Sequence, residues 1–153
     1  MRLTATIESF HAYIDGYLVC PILPRPQLIR FMLDTGCTST TILQDDAIRL
    51  GLDCSRLQRM GSVRTASGNV ETRCLTEVTL YLPARRWPLN IREGFLGKHY
   101  PMMCVMPPDE AYRAEHPTPD LSGSHSLLGM DLLLQFHKWE IRRNKLFLSS
   151  NTL

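Results

Sequence analysis

The sequence has no apolar run long enough to cross a bilayer. The first eight residues, Met1 to Glu8, form no apolar signal region and carry an early acid, so a cytoplasmic location is expected, with no membrane partner. A strong charge of one sign is also missing. Seventeen basic and fifteen acidic residues leave a net charge of +2, too small a surplus to hold a nucleic acid. The five cysteines (Cys20, Cys37, Cys54, Cys74 and Cys104) are odd in number and have no paired close spacing. That argues against a disulfide framework and against a zinc site. The five histidines show no HExxH pattern. No metal and no cofactor are expected, and no internal repeat is visible.

The 153 residues suit one domain spanning 1–153, and an apolar content of 44% is enough to fill its core. Residues 3–14 read as a strand, Asp15-Gly16 as a turn and Tyr17 to Cys20 as a second strand, together a hairpin. Pro21, Pro24 and Pro26 interrupt any ladder that follows. Leu28 to Leu33 is nearly continuous in apolar residues, as in a strand buried on both faces. Residues 44–50 read as a helix with Asp45 and Asp46 in the first turn, where acids suit the helix dipole, and Gly51 as its C-cap.

Further along, Val63 to Thr65 and Val70 to Leu82 read as strands around the turn Ala66-Ser67-Gly68-Asn69. Residues 83–100 are mixed, and Met102 to Met106 is another apolar strand. Residues 107–126 read as a long surface loop. Leu127 to Leu134 leaves a buried strand and enters a short helix, and a last hairpin turns around Arg143-Asn144-Lys145. Short strands with many turns predict an all-β fold, a closed or partly closed barrel with one or two short helices.

The segment that carries chemistry is Phe31-Met32-Leu33-Asp34-Thr35-Gly36-Cys37-Thr38-Ser39. An acid at the end of a buried strand is expensive unless it is paired or hydrogen-bonded. Two carboxylates held together share one proton, so one can take a proton from water while the other protonates a carbonyl oxygen. Gly36 allows backbone amides to approach the carboxylate, and Thr35 offers a hydroxyl to lock the loop. Asp-Thr-Gly alone arises by chance in roughly one chain of this size in thirty. The apolar strand before it and the run Thr38-Ser39-Thr40-Thr41 after it carry the weight. A second segment, Ser126-Leu127-Leu128-Gly129-Met130-Asp131, has the form of a strand passing beside the Asp34 loop, with Gly129 giving clearance.

These segments resemble the retropepsin-like aspartic peptidases, the retroviral proteases and their cellular and prokaryotic relatives, over about residues 25 to 150. The resemblance implies an acid-protease barrel with a flap hairpin. It implies Asp34 as the catalytic aspartate, Thr35 donating across a dimer axis and Gly36 lining the cleft. Thr65, Ala66, Ser67 and Gly68 would belong to a flap over residues 63–72, with Leu128 and Gly129 supporting the site. The helix ending in Leu50-Gly51-Leu52 looks more like the cellular and prokaryotic members. Viral members commonly pair an acid two residues after the motif glycine with an arginine after the late glycine; here those positions are Thr38 and Met130.

Asp131 admits two readings, a second catalytic acid within one chain or a stabiliser in the first turn of a helix. Cys37 reads as a packing or hydrogen-bonding residue rather than a nucleophile. The expected activity is that of an aspartic endopeptidase acting on a peptide or protein substrate as a homodimer. The alternative is a non-catalytic peptide-binding and dimerisation module on the same fold. A third reading, a self-cleaving piece of a polyprotein, is weakened by the methionine start.

Overall fold

The computed structural model describes residues 1–65, 68–85, 93–118 and 125–150, without the side chain of Glu93. Its strands are β1 (Arg2–Glu8), β2 (His11–Val19), β3 (Gln27–Leu33), β4 (Thr41–Ile42), β5 (Gln58–Thr65), β6 (Gly68–Arg85), β7 (Glu93–Val105), β8 (Ser126–Leu128), β9 (Lys138–Arg142) and β10 (Lys145–Ser149). The helices are α1 (Gln44–Arg49), α2 (Glu110–Glu115) and α3 (Met130–Leu133), with a 3-10 turn at Cys54–Arg56. All-β architecture is therefore observed, with three short α-helices among the described residues where one or two were expected.

The pairings close on themselves. From β6 they run through β7, β4, β8, β3 and β2 and return to β6, while β1, β10 and β9 continue the sheet outward and β5 adds to the start of β6. The eighteen residues of β6 make this possible. One of its edges meets β5, then β2 at Tyr81 to Thr79, then β1 at Arg85 and Ala84, while the other meets β7. Pro83 falls where the partner changes from β2 to β1 and is paired on that edge to neither. Alternation along β6 buries Val78, Leu80, Leu82 and Ala84 against Leu3, Leu18, Ile29, Phe31 and Leu148. Burying each of the larger of these side chains contributes roughly 1.5–3 kcal/mol.

Three local expectations change. Asp15-Gly16 lies inside β2, and the turn is at Ser9-Phe10, both with positive φ (46° and 68°). Gly16 is instead a close-approach position, where a Cβ would lie 2.7 Å from Leu82 Cδ2 and 3.0 Å from Leu80 Cδ1 as β2 crosses β6. Of the mixed stretch 83–100, residues 83–85 end β6, 86–92 lie outside the described residues, and Glu93 onward belongs to one long strand, β7. Its Pro101 is skipped by the ladder, which passes from Thr76–Met102 to Val78–Tyr100 without a change of register, and Glu77 opposite has φ 53°. The segment read as a loop over 107–126 holds α2, capped by the Asp109 carboxylate, which accepts from Tyr112 N at 2.7 Å; residues 119–124 lie outside the described residues, and Ser126 already belongs to β8. No helix among the described residues is long and apolar enough to cross a membrane.

Candidate active site

Strand β3 buries Ile29 and Phe31 completely and delivers Asp34 just past its end. Its parallel neighbour is β8, with Leu33 opposite Leu128. The chain leaves β3, loops through residues 34–40 and returns as β4 on the far side of β8, where Thr41 pairs with Leu127. Strand β8 is thus gripped between the two arms of the Asp34 loop. Asp34 N–H donates to Leu128 O at 3.1 Å, and Cys37 N–H donates to Asp34 O at 3.2 Å. Gly36 N–H donates to Asp34 Oδ1 at 2.8 Å. A Cβ on Gly36 would stand 3.2 Å from that oxygen. Asp34 is half-buried in the single chain, and Thr35 and Gly36 are exposed.

Gly129 sits directly against the loop. A Cβ there would lie 2.5 Å from the Ser39 carbonyl carbon and 2.8 Å from Thr40 N, closer than backbone atoms can yield. Leu128 is fully buried beneath. At Thr38 and Met130, the two positions compared above, backbone bonds join the segments. Met130 N–H donates to Cys37 O at 2.9 Å, and Asp131 N–H to Thr38 O at 3.1 Å. The Asp131 carboxylate accepts from Thr40 through both oxygens, from the hydroxyl at 2.7 Å and from the amide at 2.9 Å. Cys37 Sγ donates to Ser39 O at 2.9 Å.

Helix α1 is fastened to the same strand. Ser126 donates its hydroxyl (2.6 Å) and its amide (3.2 Å) to Asp46 Oδ2, while Arg49 meets Asp46 Oδ1 at 2.7 Å. Asp46, read from the sequence as a helix-dipole acid, is buried and holds β8 in place. Asp45, also buried, accepts from Tyr112 Oη at 2.9 Å and ties α2 to α1.

Strand β5 faces the outgoing arm of the loop. Cys37, Thr38, Ser39, Thr41 and Cys104 on one side and Met60 to Val63 with Thr72 on the other enclose a cavity of about 210 Å³. The β5–β6 ladder shifts register between Arg59 and Gly61, a bulge with Gly61 at φ 143°, and Met60 is part of the cavity wall. Bulges of this kind re-aim side chains beside sites. Burial pushes the Cys104 thiol up, against the lowering effect of its Thr41 and Thr72 hydrogen bonds. At the far end of the hairpin Thr65 pairs with Gly68, and Thr65 Oγ1 donates to Gly68 O at 2.9 Å. Ala66 and Ser67 lie outside the described residues. Neither Asp34 nor Thr65 nor Gly68 lines the cavity.

A family model described as aspartyl protease matches residues 13–88, which contain the Asp34 loop and the β5–β6 hairpin. The chain superposes with a TM-score of 0.56 on a retropepsin-like aspartic protease from Rickettsia conorii, covering 97% of this chain and 98% of that one at 23% identity. The fold is that of the retropepsin-like aspartic proteases, and residues 13–88 match the aspartyl protease family. The EIAV protease, solved in complex with the inhibitor HBY-793, gives a TM-score of 0.40 at 16% identity over 81% of this chain and 86% of that chain. No curated protein matches. The all-β retropepsin-like fold accounts for the closed strand pairing and for the loop wrapped around β8.

Sequence reasoning missed Thr40, Tyr100, Met60 and Thr72. The small polar run Thr38 to Thr41 was the available signal for the first. The others reach the site only through tertiary contacts.

Proposed function

We propose that this retropepsin-like chain is an aspartic endopeptidase, a single 153-residue domain that works as a symmetric homodimer. The observation that carries the reading is the Asp34 loop itself. The carboxylate sits at a buried strand end with one oxygen taken by the Gly36 amide, beside an exposed Thr35 and Gly36. The sequence holds one Asp-Thr-Gly, so a like carboxylate has to come from a second copy.

In that dimer the two Asp34 carboxylates share one proton. A water between them loses a proton to the ionised carboxylate as its oxygen bonds to the scissile carbonyl carbon. The protonated carboxyl gives its proton to the carbonyl oxygen. The tetrahedral intermediate then collapses as the amide nitrogen gains a proton and the C–N bond breaks. Thr35 fastens one loop to the other, and Gly36 leaves room for an extended peptide. Thr65, Ala66, Ser67 and Gly68 close over that peptide, while Leu128 and Gly129 support the loop from below.

The test is to titrate Asp34→Asn chain into a fixed amount of wild type under conditions of subunit exchange, with an unfolded protein as substrate. Activity should fall as wild-type homodimer disappears, fall on dilution, and be blocked by a statine-type inhibitor. Hydrolysis should be fastest in mildly acidic solution, because coupled carboxylates are active in the singly protonated form. Activity indifferent to dilution and to the inactive partner would sink the dimer. Peptide binding without cleavage would favour the binding module.

A further inference from the structure

The Thr40 hydroxyl is where three elements meet. Thr40 is 1% exposed, in the outgoing arm of the Asp34 loop. Its Oγ1 donates to Asp131 Oδ1 at 2.7 Å, accepts from Gly129 N at 3.2 Å and lies 3.3 Å from Tyr100 Oη. A threonine hydroxyl has one hydrogen. With that hydrogen on Asp131, the Tyr100 phenol is the donor to Thr40. Burial holds the phenol in its protonated form by pushing Tyr100 up; the Thr40 bond opposes this and the Asp131 charge adds to it. The hydroxyl is therefore saturated, and the loop is tied through it to α3 and to β7.

Asp131 is exposed as a residue, so water can solvate its carboxylate if Thr40 withdraws. Gly129 N and Tyr100 Oη have no such recourse in the buried floor. The hydroxyl of Thr40 is the part of the network that solvent cannot replace.

We propose that Thr40 is a positioning residue for the peptidase reaction: its hydroxyl fixes the arm of the loop opposite Asp34, so that the carboxylate is held at one height and angle to the dimer axis. This rests on the peptidase reading. Thr40 is buried and acts through the Cys37–Ser39 backbone, which Gly129 and Met130 also brace. Small displacements of a reacting group cost large factors in rate.

Thr40→Val keeps the shape and removes the hydroxyl, and Thr40→Ser keeps the hydroxyl and removes the methyl. Turnover should be measured well below the melting temperature, per active site titrated with a statine-type inhibitor. Thr40→Val should lose kcat by roughly ten- to a hundredfold with KM nearly unchanged, and Thr40→Ser should stay near wild type. A Thr40→Val enzyme with wild-type kcat per titrated site overturns the proposal. So does a Thr40→Ser enzyme as impaired as the valine variant, since packing rather than hydrogen bonding would then be at work.

Amide exchange separates this from failure of the peptidase reading. The amides of residues 37–40 should exchange faster in Thr40→Val, and in Asp131→Ala, which lies on the rim and should fold, while those of β6 and β7 stay protected. Unchanged exchange at 37–40 overturns the clamp whatever the activity. Faster local exchange in a protein whose wild type cleaves nothing leaves the clamp standing and removes the peptidase reading.

Discussion

The Asp34 loop and the β5–β6 hairpin that faces it are built by opposite means. The loop wraps around a buried strand, and both of its arms bond to it. Asp34 meets Leu128, Cys37 meets Met130, Thr38 meets Asp131, and Thr40 is held at both its amide and its hydroxyl. Strand β5 is exposed along nearly its whole length and, among the described residues, pairs only with β6. It carries a bulge at Met60, and the hairpin's far end meets at a glycine of positive φ. The contrast has a chemical reason. On the proposed peptidase reading, a carboxylate that meets its twin needs a floor with one geometry, whereas a hairpin that admits and covers a peptide needs low local stability.

The largest effect that tests this contrast belongs to the floor. Asp34→Asn keeps the shape and removes the acid, so hydrolysis should fall by roughly 10²–10⁴-fold while the melting temperature hardly moves. Near-normal turnover of the pure variant would unseat Asp34. Next comes Gly129→Ala. Its methyl would stand 2.5 Å from Ser39 C, so the loop and β8 have to part. A stability loss of roughly 1–3 kcal/mol by denaturant titration, with turnover reduced alongside, is expected. A neutral result would mean that the floor can shift freely, and the contrast would fail at its rigid end.

Much of the floor was legible in the chain. The continuous run Leu28 to Leu33 followed by an acid, a small hydroxyl residue and a glycine names both a buried strand and what stands at its end. Gly51 as the glycine that ends α1 was legible for the same local reason; it follows the Leu50 cap with φ 66°. What failed was wherever a local signal was outweighed by a distant one. Asp15-Gly16 has turn chemistry, yet Gly16 is there because Leu80 and Leu82 pass over it. The turn itself uses Ser9 and Phe10, neither of them a glycine. Strand β5 was read only from Val63 because Met60-Gly61 breaks the alternation where the bulge lies. Helix α2 was hidden among prolines. Of the two readings of Asp131, the first-turn acid matches its place in α3, but nothing local points it at Thr40, 91 positions earlier.

On the side of the β5–β6 hairpin the effects should be smaller in stability and mainly kinetic. Gly68 has φ 124°, which a β-branched residue avoids, but no heavy atom lies within 4 Å of the place its Cβ would take. Gly68→Val should therefore re-form the end of the hairpin locally. We expect kcat/KM to drop by about tenfold, with a smaller stability loss than Gly129→Ala produces. Unchanged kinetics would move the substrate-covering element to another segment. A stability loss larger than that of the Gly129 variant would show the hairpin to be as firmly held as the floor.

The smallest effect concerns what keeps β5 on β6. Arg59 and Arg73 stand directly opposite each other in the ladder, an unfavourable like-charge pair. Glu71 answers both, reaching Arg73 at 2.6 Å and Arg59 at 3.0 Å. Arg73 is further held by Leu57 O at 3.3 Å, so its position does not depend on the acid alone. The Arg59 side chain is 70% exposed and that of Glu71 37%, so solvent and salt screen most of the attraction. Glu71→Gln should cost under about 1 kcal/mol and lower the melting temperature by no more than about 3 °C. The difference from wild type should shrink as salt is raised towards about 1 M, because both the lost attraction and the exposed arginine repulsion are screened. A loss matching that of Gly129→Ala and persisting in high salt would mean that this acid anchors β5 as firmly as β8 anchors the Asp34 loop. The hairpin would then be a second rigid wall, and substrate entry would need another moving part.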